Sequence, residues 1–386
     1  MSDRTHFPLV LALWGAGLGA AGQYAKISVI FDQLPAVYPD AGAALGFIVS
    51  LVGFVGIVLG VVAGLVVARI RYRRAMLWAL WAGALVSAFQ ATLPGLPLML
   101  ASRVVEGVSH LAIVVAAPTL IAQLSADRHR GFTLTLWSTF FSVAFTLLVV
   151  AGLPLVNAFG IEALFVAHAI WLAVFAVILT LFLRPIEAPP PGALTLSGMV
   201  ADHIAIYRSP HISAPAAGWL FYTFCFLAIL TVLPPYIAPD WRAWVMGAMP
   251  LVSIAVSLTL GVLALRIMSA VALIQIGFAL CVVSLLWLWV APGLPLACMA
   301  LAAALGLVQG ASFAAVPQLN GTADSQAQAY GALAQTGNLG NTAGTPALLA
   351  VLGVAGYPGL VWTAMGVLTC GALVHAWMAA RRKALA

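Results

Sequence analysis

The chain has 386 residues, of which 64% are hydrophobic and only 7% charged. A soluble globular domain carries about 25% charged residues, so this composition excludes a water-soluble fold and points to lipid as the solvent. The formal net charge of +6 suggests nucleic acid only until the cations are located along the chain.

A membrane-crossing helix takes about 20 apolar residues. Twelve such runs follow one another and are numbered here as spans 1 to 12: 7–33, 43–67, 75–93, 97–122, 131–155, 161–183, 211–235, 243–265, 269–291, 295–318, 328–352 and 358–380. MSDRTH precedes a run too long for the apolar core of a signal peptide, about 7–15 residues, so span 1 is expected to stay as a membrane helix. Turn chemistry marks the breaks: Pro35 and Pro39, PGLP at 94–97, Phe159-Gly160, PGLP again at 292–295, and YPG at 357–359. Cys225, Cys281, Cys298 and Cys370 are scattered without metal spacing, so neither a metal nor another cofactor is expected.

Loops on the cytoplasmic side retain lysine and arginine. With the N-terminus inside, the inner segments hold Arg4, Arg69, Arg71, Arg73, Arg74, Arg128, Arg130, Arg184, Arg208, Arg266, Arg381, Arg382 and Lys383. Only Arg242 falls in an outer loop, and Lys26 and Arg103 fall within spans. The expected protein is multi-pass in the plasma (inner) membrane, both termini cytoplasmic. The lipid bilayer accounts for the basic balance, and nucleic acid is not an expected partner.

The chain repeats itself. LPAVYPD at 34–40 returns as LPPYIAPD at 233–240, ARI at 68–70 as LRI at 265–267, and PGLPL at 94–98 as PGLPL at 292–296. EGVS at 106–109 meets QGAS at 309–312, and AAPTL at 116–120 meets AVPQL at 315–319. Each half holds six spans. The sequence thus predicts an all-α membrane protein with twelve transmembrane helices in two pseudo-symmetric six-helix bundles, residues 1–183 and 211–386. Residues 184–210 join them; RPIEAPPPG cannot be a regular helix, and SGMVADHIAIYRS after it can form a short surface helix. Parallel repeats about an axis along the membrane normal are a transporter plan, with substrate bound near the midplane between halves that rock.

Over essentially its full length the chain resembles the major facilitator superfamily. GLVVARIRYRR at 64–74 carries Gly64, Arg69, Arg73 and Arg74 of the family's loop motif, with Ala68 where the family has aspartate and Arg71 where it has its second glycine. In the family that loop helps lock one conformation. RVVEGVS at 103–109 resembles the family's Arg-x-x-x-Gly pattern in span 4. Span 5 reads STFFSVAFTLLVV and lacks the Gly-Pro-x-x-Gly-Gly antiporter signature, which weakens an exporter reading. The resemblance also implies that spans 1 and 4 line a central cavity, and that spans 2 and 11 cross between the halves.

Ionisable groups within a bilayer are costly and rarely kept without a role. Arg103, Glu106 and His110 form one stripe on span 4. Lys26 lies about 13 Å below Pro35 at about 1.5 Å per residue, and Glu106 lies at similar depth after Pro97. Glu106 can therefore pair with Lys26 across the cavity or with Arg103 along its own helix. The expectation is that Glu106 takes up and releases a transported proton, that Lys26 and Arg103 hold an anionic substrate group, and that His110 relays. The competing readings are a structural Arg103–Glu106 brace, a Lys26 snorkelling outward, and core roles for His110 and His168. Asp32 reads as a solvated cap.

The second half offers neutral polar groups: Gln309 and Ser312 on span 10, and Gln335, Asn338, Asn341, Thr342 and Thr345 on span 11. Gln309, Gln335, Asn338 and Asn341 are expected to hydrogen-bond substrate, the alternative being polar glue between helices. Trp137, Trp219 and Tyr222 are candidate cavity walls. Gly53, Gly56, Gly60 and Gly64 on span 2, with Gly337, Gly340 and Gly344 on span 11, are expected to form a moving seam, against static packing within each half. GLGAAG at 17–22 has dinucleotide-fingerprint spacing but sits inside an apolar run, where it reads as a close-packing face.

These features predict a secondary active transporter, not an enzyme. It would move a small organic, anionic or zwitterionic solute by rocker-switch alternating access, as a monomer and with protons as the coupling partner in symport. A proton-coupled exporter of drugs or metabolites is the alternative. A non-transporting assembly or sensor protein on the same fold is the second.

Overall fold

The computed structural model describes residues 4–126, 129, 133, 136–137, 139–184 and 196–385. Arg128, Arg130, much of the first part of predicted span 5 and the Pro185–Pro191 stretch lie outside them, as do the side chains of Gly64, Ala68 and Arg69. The described residues are helical almost throughout. Span 1 runs Phe7–Val29, span 3 Tyr72–Gln90, span 4 Leu96–Gln123 and span 6 Ile161–Phe182. Span 7 runs Ser213–Val232, span 9 Ala270–Val290 and span 10 Pro295–Leu319. Spans 5 and 8 each contain a widened five-residue turn, at Leu148–Gly152 and Ser257–Gly261.

Nine helices among the described residues are long and apolar enough to cross a membrane. The last of these runs on to Ala384, but Gly356 breaks it with φ 62° and ψ −164°. That conformation suits glycine alone and divides spans 11 and 12 one residue before the predicted YPG turn. Spans 1 and 3, of 23 and 19 residues, complete twelve. Gln23, Tyr24 and Lys26 lower the hydropathy of span 1, and Arg73 and Arg74 at its first turn lower that of span 3. Outward faces carry large apolar side chains such as Trp78, Leu85, Val283 and Leu373, as lipid-facing helices require.

The helices form two compact units. The first comprises Met1–Ala41 and Leu51–Leu194, the second Gly42–Ser50 and Thr195–Ala386. The first half of span 2, Leu45–Ser50, is thus part of the second unit. Gly46 sits so close to Pro346 that an added Cβ would lie 2.8 Å from its Cα, and the Thr342 hydroxyl donates to the Ser50 carbonyl at 3.1 Å.

Within the first unit, Leu13, Ala16, Met76, Leu80, Ile113, Ala117 and Leu172 build a dry core among spans 1, 3, 4 and 6. Small residues make this possible. A Cβ on Gly22 of the GLGAAG run would lie 3.0 Å from the His168 ring, so this face admits span 6 against span 1.

The sequence repeat is also a repeat of contacts. In the first unit Tyr38, from the LPAVYPD turn, donates its hydroxyl to the Pro94 carbonyl of the first PGLPL at 2.8 Å. In the second unit Gly293, from the other PGLPL, packs directly on the Tyr236 carbonyl of LPPYIAPD, with φ +66°. The two duplicated strings touch each other in both halves. Likewise Gly107 of EGVS packs on the Val52 carbonyl, and Gly310 of QGAS packs on Ser257.

Candidate functional site

The polar residues of the first unit converge. Lys26, Arg103 and Glu106 have no exposed surface. The Lys26 Nζ lies 2.7 Å from Glu106 Oε1, 2.8 Å from Gln90 Oε1, 3.0 Å from Ser87 Oγ and 3.2 Å from His168 Nδ1. The second carboxylate oxygen of Glu106 accepts from Arg103 Nη1, and from Gln90 Nε2 at 2.9 Å. Arg103 also donates to the Gln23 carbonyl. Phe165 faces Lys26 with its ring centroid 5.2 Å from Nζ. Span 1 thus supplies the lysine, span 3 the serine and amide, span 4 the arginine and carboxylate, and span 6 the histidine and ring.

Glu106 therefore makes both pairings that the sequence allowed. Lys26 does not snorkel: its ammonium points into the unit. His110 lies one turn along span 4, with Nδ1 3.0 Å from the Ala20 carbonyl and its ring edge-on to Tyr24, centroids 5.1 Å apart. Those contacts are those of a core histidine bonded to backbone. His168, read from sequence as a structural residue, is buried, touches the ammonium and donates to the Gly19 carbonyl through Nε2 at 2.8 Å. Ser87 and Gln90 were missed. They stand three residues apart in an apolar span, the pattern that singled out span 4. Asp32 is exposed, within the short helical turn Phe31–Gln33.

The charge arithmetic sets the electrostatics. Two cations share one carboxylate, and both carboxylate oxygens are already occupied by donors. With the histidines neutral, the cluster carries one surplus positive charge at a buried position. Buried charge is tolerated only when paired and hydrogen-bonded. Surrounding it, Gln23 Nε2 donates to Ser109 at 2.9 Å, while Gln23 Oε1 has no partner among the described residues.

In the second unit three candidates meet. Trp219 and Tyr222 stack with centroids 4.5 Å apart, and the Tyr222 hydroxyl donates to Gln309 Oε1 at 3.2 Å. Ser253 reaches the same oxygen at 3.4 Å. Asn338 donates to the Ala334 carbonyl of its own helix, and Asn341 is half-buried. Gln335 is elsewhere: its Oε1 accepts from Tyr207 of the linker helix, Leu196–Arg208, at 2.7 Å. Burial pushes the Tyr207 phenol up to about 12, so it remains a donor through the working pH range. Trp137 belongs to the first unit, where it stacks on Phe140 and packs over Gly17. Sequence reading also overlooked His375 of span 12. It is fully buried against Gly218, and neither ring nitrogen has a partner among the described residues.

Gly337, Gly340 and Gly344 pack on Trp219, Leu220, Thr223 and Phe224 of span 7. Their close approach is therefore within the second unit, because their face of span 11 is turned toward span 7. Gly53, Gly56 and Gly60 are buried along span 2. In the loop motif, Arg71 takes φ +75° just before span 3, a conformation that explains why a glycine suits this position. Arg73 donates to the Leu183 and Thr180 carbonyls at the end of span 6, and Arg74 is exposed.

The profile of the Major Facilitator Superfamily matches residues 9–345. No curated protein sequence matches the chain. Among solved structures, a D-xylose-proton symporter superposes with a TM-score of 0.76 at 16% identity, covering 96% of this chain and 97% of its own. The human organic anion transporter MFSD10 (TETRAN) superposes with a TM-score of 0.71 at 18% identity, covering 94% of this chain and 98% of its own. At these identities the structural likeness establishes the fold. The profile spans most of the sequence, and this twelve-helix chain belongs to the Major Facilitator Superfamily.

Proposed function

We propose that the protein is a proton-coupled symporter of a small organic solute bearing a carboxylate or another anionic group. One observation carries this reading: Lys26 and Arg103 share the single carboxylate of Glu106. A surplus positive charge in a low-dielectric site favours an anion nearby far more than it would in water. If that surplus is present only while the cluster holds its full set of protons, proton binding and anion binding are linked, and by reciprocity each strengthens the other. Proton and anion then move together. The anion transporter and proton symporter among the structural neighbours are compatible with this reading. Within the second unit, Gln309, Tyr222 and Trp219, with Asn338 and Asn341 of span 11, are the further candidate solute contacts, offering neutral hydrogen bonds and aromatic surface. The orientation with both termini inside, monomeric action and alternating access belong to the same proposal.

The test is uptake of radiolabelled small organic acids into proteoliposomes, with the proton gradient inward, absent or reversed. Inward gradients should raise uptake and reversed gradients should lower it. Uptake indifferent to gradient reversal would remove proton coupling. Thermal-shift screening against metabolite pools, repeated with Lys26→Ala and Glu106→Gln, would identify the solute class; a ligand shift unchanged in both variants would detach the cluster from binding. A second reading has its own support. The complete burial of Lys26, Arg103 and Glu106 also fits a brace that holds four helices together. In that case both variants lose stability, but the remaining folded protein transports normally.

A further inference from the structure

We propose that the exchangeable proton of this cluster is carried by the Nζ of Lys26, and that Glu106 remains a carboxylate counter-ion throughout. The inference rests on the symporter reading above and assigns its proton to a residue other than the acid.

Donors and acceptors around the cluster decide which group can hold the proton. A protonated carboxyl must donate its O–H to something. Glu106 Oε1 faces Lys26 Nζ at 2.7 Å, which is a donor. Oε2 faces Arg103 Nη1 and, at 2.9 Å, Gln90 Nε2, which are donors too. Turning the Gln90 amide over does not help. Its carbonyl oxygen accepts from Lys26 at 2.8 Å, and its nitrogen donates to Ser102 Oγ at 3.1 Å. Ser102 in turn donates to the Met99 carbonyl at 2.6 Å, so the amide orientation is fixed by its neighbours. A proton placed on Glu106 would thus meet N–H groups on every side, and a buried polar hydrogen without an acceptor is costly.

Removing a proton from Lys26 disturbs almost nothing. The amine keeps two N–H bonds, directed to Glu106 Oε1 and Gln90 Oε1. Its new lone pair needs one donor, and Ser87 Oγ lies 3.0 Å away. That hydroxyl donates to the Phe165 carbonyl at 3.0 Å, and one rotation about its C–O bond turns it to Nζ. His168 completes the route. Its Nε2 points at the Gly19 carbonyl at 2.8 Å, which places the ring hydrogen there and leaves Nδ1 as an acceptor, 2.9 Å from Ser87 Oγ and 3.2 Å from Nζ. The N–H bond of the ammonium breaks, Nδ1 accepts the proton and passes it to water when the site opens, and a neutral amine stays behind. Arginine keeps its charge under the same conditions, whereas a buried lysine can lose it.

The charged and titratable groups around Lys26 agree with this assignment. Span 4 presents Glu106 and Arg103, with His110 one turn further along. Span 6 presents His168. Span 3 presents only the neutral Ser87 and Gln90, and span 1 itself adds Tyr24 two residues away. Glu106 and Arg103 balance each other, so the lysine carries the surplus charge, and its proton is the one whose departure leaves the cluster neutral.

The experiment needs no solute. Proteoliposomes adsorbed on a solid-supported membrane are given pH jumps, and the charge displaced by proton binding is recorded. The wild type should displace charge. Lys26→Arg, which keeps the cation but cannot release a proton, should displace none. Glu106→Gln should still displace charge, centred at a shifted pH. Charge retained in Lys26→Arg and lost in Glu106→Gln would overturn the assignment and return the proton to the acid, leaving the symporter reading intact. A wild type that displaces no charge at all would defeat both. If either variant does not fold, infrared difference spectra of the wild type across its pH transition decide the matter. Growth of a protonated-carboxyl C=O band in step with the transition refutes Lys26, and its absence supports it.

Discussion

Replacing Glu106 with glutamine removes the only anion from the cluster while preserving its shape. Lys26 and Arg103 then lie buried without the carboxylate to which each was bonded. Breaking a buried ion pair from one side costs about 3–5 kcal/mol. For a unit of this size that corresponds to roughly 6–20 °C in thermal midpoint, at about 2–4 °C per kcal/mol. Lys26→Met should cost clearly less, because it leaves Arg103 and Glu106 as a neutral pair and sacrifices only hydrogen bonds. The double variant Glu106→Gln/Lys26→Met should be more stable than Glu106→Gln alone, an inversion that only charge balance produces. The assay is tryptophan-fluorescence unfolding of the detergent-solubilised protein. Equal losses for the two single variants, or a double variant no more stable than Glu106→Gln, would refute the surplus-charge argument.

Other expectations follow from the same geometry. Arg71→Gly should raise stability by about 1 kcal/mol, since strain at a positive φ costs about 1–3 kcal/mol and part of the gain is lost to glycine's unfolded-state freedom; a lower midpoint in thermal unfolding would count against it. Gly340→Val places a Cβ 2.6 Å from the Leu220 carbonyl and 2.7 Å from the Phe224 nitrogen, so it should destabilise by about 1–3 kcal/mol. A variant of full stability that nevertheless stops moving solute would instead favour a sliding seam at this glycine. Tyr207→Phe should cost about 1 kcal/mol and speed limited proteolysis at the linker helix. The same attachment should weaken with alkali. An unfolded tyrosine ionises near 10 and the folded Tyr207 at about 12, so the contribution is complete below pH 10 and disappears as pH rises toward 12; protection unchanged over that interval would contradict it.

The bilayer makes some features legible in sequence and hides others. Apolar runs of spanning length, turns at the prolines and glycines, and a duplicated set of short strings determine a twelve-helix chain of two related halves, because lipid demands internally hydrogen-bonded helices and leaves few other choices. The stripe of Arg103, Glu106 and His110 was equally readable, since helical periodicity places them on one face. Periodicity does not say which neighbour that face meets. Only the tertiary structure placed Ser87, Gln90 and His168 around Lys26, sent Gln335 to the linker helix rather than to its fellow amides, and turned Gly337, Gly340 and Gly344 toward span 7. The physical reason is that a helix's own sequence fixes its face, whereas the rotation and depth at which it meets other helices are set by side chains far away in the chain. Glycines that admit a neighbour and carboxylates that collect cations both take their meaning from those distant partners.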